Sequence, residues 1–324
     1  MTAAASISMS MRGFEEAEAN RVANIVATYI RELSRYIELS NLDGVTVAYD
    51  YHQALIDLDR GYQTSFKLEA STEFVEGVAM TPLVMRDGRV KSHIVFNAIF
   101  VLPLADPSHE RHDQSLHLIA HECAHVQVSQ AFDRCFPNVL LQQTYSNLYD
   151  LLRANAIGAC WDEFAATFIA AGIGRDPTAD YEKCFIDALS RTRDLANERI
   201  RAYRLHADHS QILNEVYVLY ADLIKFACYH LGNMAGRGLT LDDLPTTKGA
   251  LEGSWFYAHW TAIERACIDI CDRFGQWDNM GLFDALGDVA DGVLASGGVF
   301  VTRNGADAIR MDIPFTPDTM PSAA

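Results

Sequence analysis

His121-Glu122-Cys123-Ala124-His125 constrains the fold of this chain more than any other stretch. Leu118, Ile119, Ala120, Cys123, Ala124 and Val126 around it are uncharged, so two histidines and a glutamate sit inside an otherwise apolar helix. Residues four apart share a helix face, roughly 6 Å apart along the axis, so His121 and His125 converge while Glu122 points sideways. Burying such a cluster is costly unless its polar atoms are satisfied. The helix, expected from about residue 113 to 130, must therefore pack against an element that completes a polar site. A metal ion satisfies two convergent imidazoles better than neighbouring side chains do, and the His and Glu frequencies give an accidental HExxH only about one chance in fifty.

A metal held by two histidines needs a third protein ligand, and zinc is the ion this donor set suits. The pattern HExxHxxGxxH is absent, because Val128 and Ala131 stand where it needs glycine and histidine. The stretch from Cys160 to Ala170 is apolar, helical and carries two adjacent acids, Asp162 and Glu163. These project about 100° apart, so only one of them faces a buried ion. Glu163 shares its face with Ala166, Thr167 and Ala170, whose small side chains allow close helix packing, and is the favoured ligand. Asp162 and Asp133 are the alternatives. His117, one turn before His121, is expected beside the ligands and not among them, since a catalytic zinc keeps one position for water.

His121, Glu122 and His125 followed by Glu163 in a Glu-x-x-Ala helix resemble the zincin metallopeptidases, in the gluzincin-like arrangement of two histidines and a downstream glutamate. The resemblance covers roughly residues 75 to 172. It implies Zn2+ as cofactor, His121, His125 and Glu163 as metal ligands, Glu122 as general base, and a peptide or protein substrate. Many gluzincins carry an aspartate four residues after the ligand glutamate, and here that position is Thr167.

The rest of the chain sets this motif in an α+β fold. Phe14 to Leu39 has helical periodicity, Gly44 to Tyr49 reads as a strand and 51–58 as a short helix. Gly77 to Met85 and Val90 to Val101 are β-rich runs joined by Arg86-Asp87-Gly88-Arg89, a hairpin signal. Ser92 to Phe100 is the candidate edge strand for an extended peptide. Beyond Pro137 helices are expected over 139–155, 159–172, 179–206, 209–234 and 255–274, with a candidate hinge or lid at Gly232 to Pro245 and a second hairpin around Arg303-Asn304-Gly305-Ala306. Residues 1–136 form a small mixed-sheet lobe with the HExxH helix, and 137–324 a mainly helical lobe carrying the third ligand. No Pro/Gly/Ser linker separates them, so one continuous unit is expected.

Composition excludes several function classes. The 26 basic against 43 acidic residues give a net charge of −17, which opposes binding to nucleic acid or anionic membranes. The first eleven residues lack the pattern of a secretory signal, and the seven cysteines show no CxxC spacing, which points to reduced thiols and a cytoplasmic protein. The expected activity is zinc-dependent peptide hydrolysis, with Tyr257, His259, His209, His230 and Tyr217 as candidate transition-state donors. The competing expectation is a non-catalytic interaction protein with a structural zinc site closed by a fourth ligand such as His117 or Asp133. Substrate specificity and oligomeric state are not encoded in any local pattern.

Overall fold

The computed structural model describes residues 7–64, 66–69, 77–305 and 308–320. It is an α+β fold that divides into two compact units, Met1–Gln142 with Ala165–Pro177, and Gln143–Phe164 with Thr178–Ala324.

The first unit is built on a small mixed sheet. β1 (Met9–Arg12) runs parallel to β2 (Leu42–Ala48), which runs parallel to β5 (Arg89–Asn97). The far side of β5 pairs antiparallel with β3 (Ala79–Met80) and then β4 (Leu83–Arg86). The expected hairpin is present at Asp87 and Gly88, whose φ angles of 50° and 73° are the two left-handed positions of a type I′ turn. α1 (Glu16–Leu33) lays Val22, Val26 and Ile30 on one sheet face, against Val45, Val47, Ile94 and Phe96. Val and Ile alternate along β2 and β5 because that face is buried, each side chain contributing about 1.5–3 kcal/mol on burial. α2 (Tyr51–Ile56) follows β2, its Asp50 side chain accepting from the Gln53 amide as an N-cap.

The strand expected at the sheet edge is internal. Ser92 to Phe96 is flanked by β2 on one side and by the 79–86 segment on the other, and Ser92 is buried against Ser129, with 2.8 Å between hydroxyls. Its continuation is helical: Asn97 caps α3 (Ala98–Val101) through its side chain, so β structure ends four residues before Val101. The edges are β1 and the segment 79–86.

α4 (His112–Cys135) carries the motif, and α5 (Leu148–Ala170) is shared between the units. α5 is one helix where two were expected. The helix runs through Gly158, where open space surrounds the position a Cβ would take.

The second unit is mainly helical. α6 (Thr178–His206) and α7 (His209–Arg237) pack together, with α8 (Pro245–Leu251), α9 (Tyr257–Cys271) and α10 (Asp284–Ser296) around a core that includes Phe185, Tyr220, Phe256 and Trp260. The β6 (Phe300–Arg303) and β7 (Ile309–Asp312) hairpin forms as expected. In the hinge or lid candidate, α7 continues to Arg237, Gly238 closes it at φ 68°, and a Thr240–Asp243 capping box precedes Pro245 at the start of α8. No helix of the described residues is long and apolar enough to cross a membrane.

Candidate metal centre

α4 has three differently occupied sides, which follows from its sequence. Ile119, Ala120, Cys123 and Val126 enter the core of the first unit. At 100° per residue, His121 and His125 then lie on the opposite side, with Glu122 between the two. All three polar residues are buried. Little of the helix faces water, so it is not amphipathic in the usual sense.

The two imidazoles meet. Nε2 of His125 is 3.0 Å from Nε2 of His121, with the rings nearly perpendicular. Two nitrogens on one tetrahedral zinc stand about 3.3 Å apart, so the pair needs only a small adjustment to share an ion. Glu163 completes the set: one potential ligand atom from each of His121, His125 and Glu163 lies within 4.8 Å of the others. The donors are two imidazole nitrogens and one carboxylate, mostly withdrawn from solvent, which fits a divalent metal with nitrogen and oxygen ligands. Among the described residues no other group of three His, Cys, Asp or Glu converges in this way, and neither Asp162 nor Asp133 joins this one.

His117 has another occupation. Its Nδ1–H donates to the Ile173 carbonyl at 3.1 Å, and its ring centroid is 6.4 Å from that of His121. The loop after α5 makes this contact possible through Gly174. There φ is +71°, and a Cβ would stand 2.4 Å from the Asp113 carbonyl oxygen and 2.6 Å from the His117 amide.

Glu122 is held by a residue that sequence reading missed. Thr81 Oγ1 lies 2.7 Å from its Oε2 and 3.2 Å from its backbone carbonyl. Burial, and then the charge of Glu122, push up the ionisation of the Tyr51 hydroxyl, which is buried and has no hydrogen-bond partner among the described residues. The same two causes raise the Cys123 thiol, making it an inert core filler. No sequence signal pointed to Thr81 or Tyr51, because they lie 41 and 71 residues upstream and meet Glu122 only through the sheet.

Glu163 has charged neighbours on its own side. Burial works against the Lys225 ammonium, but Asp222 at 2.7 Å, assisted by Glu163, outweighs it and keeps the lysine protonated. Cys160, one turn before Glu163, is raised first by its contact with Cys228 and then by burial. Thr167, at the position where an aspartate was absent, is fully buried.

The five candidate donors are placed in the second unit. His230 is wholly buried, its Nε2 2.8 Å from Thr247 Oγ1, and Tyr217 donates to Asp291 at 3.3 Å. His259 lies 2.9 Å from the Ser296 hydroxyl, while Tyr257 and His209 are exposed. Three of the five are thus engaged with partners of their own.

Comparison with protein-family models, curated proteins and solved structures finds no match for this chain.

Proposed function

We propose that this chain is a zincin-type, zinc-dependent metallopeptidase of the cytoplasm. The observation that carries the reading is the convergence of His121, His125 and Glu163, with Glu122 beside the histidines but outside the ligand group. His121 and His125 would hold the metal through Nε2, and Glu163 through its carboxylate. Bound there, zinc would supply Lewis acidity, bringing a water's pKa toward neutrality and polarising the scissile carbonyl. Glu122 takes the water's proton and delivers it to the leaving amine, a role worth about 10²–10⁴ in rate. Burial of Glu122 and both histidines strengthens each of these electrostatic effects.

Three protein ligands favour catalysis over a structural role, since a structural zinc takes four. His117, whose ring centroid is 6.4 Å from that of His121, is not part of the converging group. A peptide substrate would add as a strand beside 79–84, short of Met85, whose amide is taken by the Arg60 carbonyl, and this stretch leads to Glu122 through Thr81. All seven cysteines are free thiols, which supports a reducing compartment.

The test is digestion of a broad peptide library by the zinc-loaded parent and Glu122→Gln. The reading expects cleavage by the parent only, with equal zinc in both proteins. Equal cleavage by both would refute Glu122 as base, and no cleavage by either would refute the peptidase.

A further inference from the structure

Resting on the proposed role of Glu122, we infer that Thr81 is the positioning residue for this general base, holding its carboxylate through one hydroxyl. At 2.7 Å from Oε2, the Thr81 hydroxyl makes a short, charge-assisted bond to the carboxylate. Holding Oε2 fixes the rotation of the group and leaves Oε1 for the water.

The backbone pre-sets Thr81 for this. Val78 O accepts from Asn97 N at 3.0 Å and Pro82 O accepts from His93 N at 2.9 Å, so the segment is tied to β5 on both sides of Thr81. Pro82 also restricts the residue before it to extended conformations. Thr81 therefore belongs to a short stretch anchored at both ends, and its hydroxyl does not have to be recruited.

The experiment compares zinc-loaded parent, Thr81→Val, Thr81→Ser and Glu122→Gln. Steady-state cleavage of a fluorogenic peptide chosen from the parent's library products is read together with zinc content and crystal structures. Valine preserves shape and removes the hydroxyl; serine restores it. Thr81→Val should lose about tenfold to a hundredfold in kcat, with KM and zinc content unchanged and the Glu122 carboxylate turned from its parental position. Thr81→Ser should recover kcat to within about threefold and the parental carboxylate position. Parental kcat and parental Glu122 geometry in Thr81→Val would overturn the inference. So would an equal loss in both Thr81 variants, or a loss of zinc in Thr81→Val. An active Glu122→Gln would instead sink the general-base reading, while the crystal structures still report whether Thr81 holds the carboxylate.

Discussion

His230 offers a quantitative test of which histidines are structural. Its Nε2 faces Thr247 Oγ1 at 2.8 Å, and that hydroxyl spends its own proton on Glu182 at 2.7 Å. Thr247 must therefore accept from Nε2–H, which leaves Nδ1 buried and without a hydrogen-bond partner among the described residues. Phe185 stacks on the ring and Trp260 meets it edge-on. Protonating Nδ1 would put a charge in a dry core, and burial, only partly opposed by Glu182, lowers the pKa from 6.5 to about 4. Between these values the unfolded chain takes up a proton that the folded chain refuses. Stability is thus unaffected above pH 6.5 and falls as the pH drops from 6.5 toward 4. At about 1.4 kcal/mol per pH unit the full loss is about 3 kcal/mol, of which about 2 kcal/mol is reached by pH 5. Urea unfolding of the parent and His230→Phe, followed by far-ultraviolet circular dichroism at pH 7.5 and 5.0, isolates this contribution, because every other titrating group is common to both. The parent should lose about 2 kcal/mol more than the variant over that interval. Equal losses would refute the argument that His230 is held neutral by its core.

Two further outcomes bear on the site. Gly174→Ala combines a left-handed φ with contacts of 2.4 and 2.6 Å on the backbone of α4, so it should cost at least about 2 kcal/mol in thermal or urea unfolding; a change within about 0.5 kcal/mol would show that the loop does not rest on the helix as described. Glu122→Gln should lower kcat by about 10²–10⁴ with zinc retained, as read by peptide turnover and metal analysis, and a loss below about threefold would remove it from the chemistry.

What was legible in the sequence was local. His121 and His125 converge because i and i+4 always share a helix face, and Glu163 was distinguishable from Asp162 by the small residues one and two turns along its own side. The Asp87-Gly88 hairpin carried its geometry in its residue types. Pairing order was not local. Ser92 to Phe96 looked like an edge because nothing local shows that β2, far upstream, pairs with it on the side opposite the 79–86 segment. α10 escaped notice because Gly287 and Gly292 weaken its helical pattern. Gly287 leaves room for Arg153, whose guanidinium carbon would lie 2.3 Å from a Cβ there and which bonds Asp284, Asp288 and Asp291 on the same helix. Thr81 was invisible for the same reason as the strand order, since only the register of β3 on β5 brings it to Glu122.

Zinc stoichiometry on the parent, His121→Ala, His125→Ala and Glu163→Ala tests the central claim most directly. The parent should bind one zinc per chain at a concentration where each variant binds little or none, with folding of all four checked by circular dichroism. A parent that binds no zinc, or a Glu163→Ala protein that holds it as tightly as the parent, would contradict the account.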